Sequence, residues 1–135
     1  MVLKSSCQPA DLSGSPQCNE AIVCIEGRDE RVMSELKIAL WQMNAKVGDF
    51  VENAAKIRAA ARRAEQMGVD LLLTPEMSLV GYPAEDWILR DDFCEKARKV
   101  LILLAESMKD TIPVLVGTVW KEENGTRHNA LALLR

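Results

Sequence analysis

A short apolar run that stops at a proline constrains this chain more than any other feature. Residues 71–73 are three consecutive leucines, and Pro75 follows after a single threonine. Uninterrupted apolar runs of this length are typical of strands that are buried on both faces of an α/β sheet. Proline ends such a strand because it has no N–H to give to the ladder. We therefore predict a central, fully buried strand that closes at Pro75.

The residue directly after that proline is a carboxylate, Glu76, and a loop with Gly81, Tyr82 and Pro83 follows it. This places the carboxylate just beyond the carboxyl end of a strand, where open α/β sheets commonly bind ligands. Walls of leucine, Met77 and Tyr82 would take water away from the carboxyl group and suit it to proton transfer. We predict that Glu76 is a catalytic base. The alternative is a carboxylate that caps a loop or pairs with an arginine.

Strand and helix patterns alternate along the rest of the chain and predict the order β-α-β-α-β-β. Asp49 with Glu52 resembles a capping box at a helix start, and Asn124-Gly125 is a strong hairpin signal. This alternation predicts an α/β fold in which helices cover a parallel sheet. The predicted elements are a strand at 37–44, a helix from Asp49 to Gly68, the strand at 71–73, a helix capped by Asp91 or Asp92, and a hairpin around 124–125.

The composition is that of an ordinary globular protein and excludes several functions. Hydrophobic residues make up 48% and charged residues 27% of the chain, and the net charge is −3. This weak acidity argues against a nucleic-acid partner, and no apolar run approaches the roughly 18 residues of a membrane span. The four cysteines, at 7, 18, 24 and 94, match no zinc spacing, so we predict no metal. Without a secretory signal we expect free thiols and a cytoplasmic location.

Residues 1–32 differ in kind from the rest of the chain. They are small, polar and turn-prone as far as Asn19, and only Ala21–Gly27 indicates a brief strand. Met33-Ser34-Glu35 then looks like an ordinary protein start. We expect residues 1–32 to be a loosely ordered N-terminal extension that the fold does not need, and residues 33–135 to form the folded unit.

From about Leu36 to Arg135 the sequence resembles the nitrilase (carbon-nitrogen hydrolase) superfamily. The matching pieces are KIALWQMN, the helix start VGDFVENAAKI, LLLTPEMSLVGYP and the hairpin end HNALALL. Within that superfamily, GYPAEDWILRDDF is most similar to the amidohydrolase half of the glutamine-dependent NAD synthetases. The extension through Asp86, Leu89, Arg90 and Phe93 narrows the resemblance to that group.

The resemblance implies a four-layer α-β-β-α sandwich and a catalytic Glu-Lys-Cys set. In such a set the glutamate takes the thiol proton, the cysteine attacks the amide carbon, and the lysine supports the oxyanion. By the match, Glu76 is the base and Tyr82 lines the glutamine site. The ammonia released from glutamine would pass to a synthetase domain that uses ATP with magnesium to amidate deamido-NAD. The family also implies a homo-oligomer.

The sequence departs from the family pattern in two respects. The lysine and the nucleophilic cysteine are expected downstream of the NALALL strand, whereas the chain given stops at Arg135. The Ser-Gly-Gly loop of the synthetase domain is also absent, because Ser13-Gly14-Ser15 has no preceding strand and reads only as a turn. We therefore expect the front part of a larger enzyme, inactive alone and without a cofactor of its own. The alternatives are another nitrilase-type amidase for a small amide, and a non-catalytic fragment with an uncovered sheet face.

Several residues of the sequence have a structural interpretation as well as a functional one. Tyr82 would otherwise be a packed loop aromatic, and Cys94, inside a predicted helix, a small buried hydrophobe. His128 is expected to be hydrogen-bonded beside the turn, and Asn129 to order the loop through bonds to backbone groups. The acidic residues of the loop are expected to act as caps and solvated charges rather than metal ligands: Asp86, Asp91 and Asp92.

Overall fold

One mixed sheet with two α-helices makes up the structure, a computed structural model that describes residues 4–6, 21–28 and 35–135. From residue 35 onward the elements follow the predicted order β-α-β-α-β-β, which confirms the fold class. The brief strand predicted at Ala21–Gly27 is present, and the division at residue 32 stays a prediction. The elements are β1 (Lys4–Ser6), β2 (Ala21–Arg28), β3 (Glu35–Gln42), α1 (Phe50–Gln66), β4 (Leu71–Leu73), a 3₁₀ helix (Glu85–Leu89), α2 (Asp91–Ser107), β5 (Val114–Lys121) and β6 (Arg127–Leu134).

The sheet places its strands in sequence order, from β1 at one edge to β6 at the other. The central strands β3, β4 and β5 run parallel, while β1, β2 and β6 join the sheet by antiparallel pairing. The register aligns Leu73 with Leu40 of β3 and with Leu115 of β5, and Leu115 with Leu133 of β6. Because β3, β4 and β5 are parallel, the loops after their carboxyl ends meet at one end of the sheet.

Helix α1 begins and ends where the sequence predicts. The side chain of Asp49 accepts a hydrogen bond from the backbone N–H of Glu52 at 3.4 Å, which is the expected cap. After the last turn Gly68 adopts a φ of 69°, and its N–H donates to the Glu65 carbonyl. Glycine adopts this left-handed conformation at no steric cost. The buried stripe includes Phe50, Ile57, Ala61 and Ala64.

Helix α2 begins at Asp91, but the predicted cap is wrong. The residue at the N-cap position is Arg90, and its side chain makes no capping bond. Asp91 bonds instead to basic residues of the β5–β6 hairpin, and Asp92 pairs with Arg90 at 2.8 Å. Both carboxylates therefore have cationic partners, and neither aspartate is the N-cap residue. Neither helix in the described ranges is long and apolar enough to cross a bilayer.

An aromatic cluster ties the 3₁₀ helix to both α-helices. The ring of Phe93 lies 5.0 Å from that of Phe50 and 6.0 Å from that of Trp87, at tilted angles. Such tilted pairs are favourable beyond the area that they bury. The cluster gives Trp87 and Phe93, two residues of the GYPAEDWILRDDF stretch, a packing role at the start of α2.

The two faces of the sheet differ in burial. Ala39, Trp41, Leu72, Val114 and Val116 are buried on the side that the helices cover. Alternate residues point the other way, so this second side, the open face, carries the residues between them. The prediction of burial on both faces is wrong for the described residues, because α1 and α2 both pack on the Leu72 side. The most exposed leucines of the open face are Leu36 (50%), Leu131 (60%) and Leu133 (52%).

We expect the 135-residue chain to bind an apolar fluorescent dye and to associate at high concentration, because the open face exposes several leucines. Replacing Leu131 and Leu133 together with lysine should lower dye fluorescence severalfold. Lysine at Ile102 and Leu103, which are exposed on α2, provides the matched control and should leave fluorescence unchanged. A monomeric chain that binds no dye would contradict this expectation.

Candidate active site

Glu76 lies directly beyond the carboxyl end of β4, as predicted. The strand ends at Leu73, and the Thr74 N–H still donates to the Leu115 carbonyl of β5 at 3.0 Å. A turn follows in which the Ser78 N–H donates to the Pro75 carbonyl at 3.2 Å. Because β4 pairs with a parallel strand on each side, its end is the central point of the loop-bearing edge of the sheet.

Gly117 of β5 allows this turn to lie flat against the sheet. A Cβ atom built at Gly117 would be 2.3 Å from the Pro75 carbonyl oxygen and 2.9 Å from the Cα of Glu76. Real Cβ atoms essentially never approach backbone so closely, so any side chain here would displace the turn. The Gly117 carbonyl also accepts a bond from the Leu79 N–H at 3.0 Å. The position of Glu76 therefore depends on the absence of a side chain at residue 117.

Two hydroxyl groups fasten the turn to β5. The Thr74 and Ser78 hydroxyl oxygens lie 2.6 Å apart. Thr74 Oγ1 contacts the Leu115 carbonyl at 3.1 Å and accepts from the Gly117 N–H at 3.3 Å, while Ser78 Oγ contacts the Gly117 carbonyl at 3.2 Å. Ser78 is fully buried. These bonds satisfy polar groups of the turn that would otherwise be costly to bury.

Backbone strain at Met77 makes the side chains of Glu76 and Met77 point in different directions. Met77 has a φ of 55°, a left-handed conformation that is uncommon for a residue with a long side chain. The Val80 and Gly81 N–H groups both donate to its carbonyl, at 3.1 and 2.7 Å, and hold this geometry. As a result Met77 is buried in the core whereas Glu76 faces solvent.

Buried Asn53 of α1 joins the loop after β3 to the loop after β4. Its amide donates to the carbonyls of Lys46, at 2.8 Å, and Leu79, at 3.1 Å, and its oxygen accepts from the Lys46 N–H at 3.0 Å. A Cβ on Gly81 would be 2.4 Å from backbone atoms of Lys46 and Val47, so the two loops are in direct contact. The Asn53 side chain thus holds the loop after β3 and the loop after β4 together.

We expect Asn53→Ala to lower the free energy of unfolding by about 3 kcal/mol, because it removes three bonds and leaves the Leu79 carbonyl without its side-chain donor. Urea denaturation of the purified chain measures the loss. Asn44→Ala, at an exposed position in the same loop, is the control and should change stability by less than about 0.5 kcal/mol. Equal effects of the two substitutions would contradict the role given to Asn53.

The structure brings the two predicted site residues, Glu76 and Tyr82, into one cleft of ≈ 310 Å³. The predicted desolvation of Glu76 is wrong for the described residues. The Met77 side chain turns into the core, and Tyr82 is 69% exposed, so neither covers the carboxylate. The Tyr82-Pro83 peptide bond is cis. The other residues that line the cleft are Gln42, Met43, Asn44, Ala45 and Pro75.

Asn129 of β6 is the hydrogen-bond partner of Glu76. Its side-chain N–H donates to Glu76 Oε1 at 2.5 Å, so the prediction that Asn129 bonds to backbone groups is wrong. In the β5–β6 register Asn129 lies opposite Val119 and Leu131 lies opposite Gly117. All four residues share the open face of the sheet, because directly paired and alternate residues point the same way. No local sequence pattern indicates this contact, because it depends on the register between β5 and β6.

An ion cluster fixes the β5–β6 hairpin to the start of α2. Asp91 Oδ1 lies 2.8 Å from Lys121 Nζ and 2.7 Å from Arg127 Nη2, and Arg127 also donates to the Leu89 carbonyl at 3.0 Å. The hydrogen bond from Lys121, and then its charge, lowers the pKa of Asp91 below its usual value. Farther along the hairpin, His128 Nε2 lies 3.2 Å from Glu122 Oε1, a structural contact of the predicted kind.

Cys94 is not positioned to act on a substrate. It is buried, as predicted, and its Sγ donates to the Ile88 carbonyl at 3.3 Å. In the part of the chain that the structure describes, no three metal-ligating side chains come together. The arrangement around Glu76 thus offers a solvent-facing carboxylate with one fixed oxygen, and it can accept a proton from a group delivered to the cleft.

Comparison with known proteins shows the family of the chain. Residues 37–135 match the carbon-nitrogen hydrolase family, and the chain belongs to it. The glutamine-dependent NAD(+) synthetase of Synechocystis sp. is 47% identical over 90 residues, which are 67% of this chain and 16% of that protein. The chain thus spans less than a fifth of the curated synthetases that it matches.

Solved structures of two enzyme types share the fold. The glutamine-dependent NAD+ synthetase of Acinetobacter baumannii, in complex with ADP, superimposes with a TM-score of 0.69 at 33% identity, covering 76% of this chain and 19% of that one. An amidase from Nesterenkonia sp. AN1 reaches 0.60 at 28% identity, covering 73% and 37%. That amidase structure, a variant in which leucine replaces a glutamate, shows covalent addition of the acetamide moiety of fluoroacetamide at its active-site cysteine.

Proposed function

We propose that this chain is the N-terminal part of the glutaminase half of a glutamine-dependent NAD synthetase. The observation that carries the proposal is the 47% identity over 90 residues with the Synechocystis synthetase. The TM-score of 0.69 with the A. baumannii synthetase, against 0.60 with the Nesterenkonia amidase, points the same way. We propose that the nucleophile belongs to a part of the domain outside these 135 residues, and that the chain alone does not hydrolyse glutamine.

In this proposal Glu76 is the general base. It takes the proton from a cysteine thiol, and the resulting thiolate attacks the amide carbon of glutamine. A lysine stabilises the negative charge that develops on the carbonyl oxygen. The carboxyl group returns its proton to the departing nitrogen as the C–N bond breaks, and ammonia leaves. Water, deprotonated by Glu76, then hydrolyses the thioester to glutamate. The solvent-facing carboxylate in a cleft supports the first step, because a thiol can reach it.

The remaining assignments complete the proposal. Tyr82 contacts glutamine, since its ring lines the same cleft as Glu76. The ammonia serves a synthetase domain that uses ATP with magnesium to amidate deamido-NAD, and this chain itself holds no cofactor. We also propose a homo-oligomeric, cytoplasmic enzyme, in which residues 1–32 are an extension to a domain that begins at residue 33.

Expression of the open reading frame that continues this sequence tests the proposal. The full protein should release ammonia from glutamine, and should form NAD only when glutamine, ATP with magnesium and deamido-NAD are all present. Ammonia and NAD are measured in the same reaction, and a reaction without ATP provides the control. An intact, folded protein that releases no ammonia from glutamine would refute the proposal.

A stand-alone amidase is the second candidate, because the Nesterenkonia amidase shares the fold at 28% identity. The same assay separates the two functions. Release of ammonia from acetamide in preference to glutamine, together with no NAD formation, would assign the protein to this class. A protein that hydrolyses neither amide would be the non-catalytic fragment that the sequence also allows.

A further inference from the structure

We propose that Asn129 is the positioning residue for Glu76. It holds one carboxylate oxygen so that the other oxygen faces the cleft and takes the thiol proton. This inference rests on the proposed function and adds a residue to it. The structural basis is the bond from Asn129 Nδ2 to Glu76 Oε1, which joins residues 53 positions apart.

Stability does not account for this bond. Both Glu76 and Asn129 are exposed to solvent, and a hydrogen bond at an exposed site mostly replaces bonds to water, so its net effect on folding is small. Its effect on geometry is larger. A free glutamate side chain samples several rotamers, whereas one bonded to a strand of the sheet keeps one orientation. The bond therefore fixes direction more than it stabilises the fold.

The chemistry of an amide suits this task. The Asn129 N–H donates to a carboxylate but does not lose its own proton at ordinary pH, so it orients Glu76 without competing as an acid. A carboxylate has two oxygens, and the bond to Oε1 leaves Oε2 free for the thiol. An ammonium or guanidinium group in the same place would stabilise the ionised carboxylate and weaken it as a base.

Two cations of the same hairpin are bound by another carboxylate. Arg127 lies two positions before Asn129 on β6, and Lys121 is the cross-strand partner of Arg127. Both cations therefore share the face of the sheet that carries Asn129. Asp91 binds both of them, at 2.7 and 2.8 Å. This ion cluster gives the cations a partner other than Glu76 and leaves the neutral amide as the donor to the carboxylate.

A double-mutant cycle on ammonia release by the full protein tests this role. We expect Asn129→Leu and Asn129→Ser each to lower kcat by about 10- to 100-fold, because loss of orientation at the base costs rate. KM for glutamine should change by less than about threefold, since the substrate contacts remain. Asn129→Gln keeps the amide and should recover part of the loss. His128→Gln, on the opposite face of the same strand, is the control and should keep full activity.

The cycle separates positioning from a general structural role. In a Glu76→Gln background, Asn129→Ser should cause no further loss, because it acts only through Glu76. Multiplicative losses, or an unchanged kcat in both single variants, would overturn the inference and leave the proposed function standing. An inactive parent protein would instead refute the proposed function, and this inference with it. Urea denaturation of each variant should show an unchanged midpoint, and a large shift would assign Asn129 a structural role.

Discussion

Replacing Glu76 with glutamine should lower ammonia release by the full protein by about 10²- to 10⁴-fold, which is the range for loss of a general base. Glutamine has nearly the same shape and can keep a contact with Asn129, so the fold should be unaffected. It cannot take a proton from the thiol. We therefore expect kcat to fall while KM for glutamine changes little, and we expect the cysteine to react more slowly with iodoacetamide at neutral pH.

Glu95→Gln is the matched control for this experiment. Glu95 is an exposed glutamate on α2, outside the residues that line the cleft, and its substitution removes the same charge. Its kcat should stay within about twofold of the parent value. Undiminished turnover in the Glu76 variant would remove Glu76 from the mechanism, and an equal loss in both variants would point to net charge instead of proton transfer.

The position of Glu76 was predictable because local sequence decides it. Three leucines and a proline define the strand and its end, and the carboxylate simply follows. The start of α1 and the β5–β6 hairpin were predictable for the same reason, since a capping side chain and an Asn-Gly turn act over a few residues. These signals set the order of the elements and hence the α/β class.

The partners of Glu76 were not predictable in this way, because they depend on which strands pair. Asn129 reaches Glu76 only because β5 pairs with both β4 and β6 in a particular register. Asp91 reads as a helix cap in sequence, yet the hairpin brings Lys121 and Arg127 to it. Pattern analysis also could not show that both helices cover one face, since a run of leucines looks the same whether one face of the strand is covered or two.

A large structural effect is expected from Gly117→Ala, because the added methyl group would meet backbone. The nearest atoms are the Pro75 carbonyl oxygen at 2.3 Å, Met77 N at 2.8 Å and Glu76 Cα at 2.9 Å, and none of these is the end of a flexible side chain. Either the turn moves away from β5 or the strand bends. We expect a loss of about 3 kcal/mol in the free energy of unfolding, the upper range for overpacking, measured by urea denaturation.

The same substitution should also lower ammonia release by the full protein at least about tenfold, because it displaces the backbone that carries the base. Gly125→Ala separates crowding from the loss of a glycine. Gly125 has a φ of 88°, which an alanine adopts only with strain, but no atom beyond its chain neighbours lies within 4 Å of its added Cβ. It should cost about 1 to 2 kcal/mol and leave kcat unchanged, since Gly125 is not among the residues that line the cleft with Glu76. A larger loss of stability and kcat in Gly125→Ala than in Gly117→Ala would show that contact between β5 and the turn after β4 does not position Glu76.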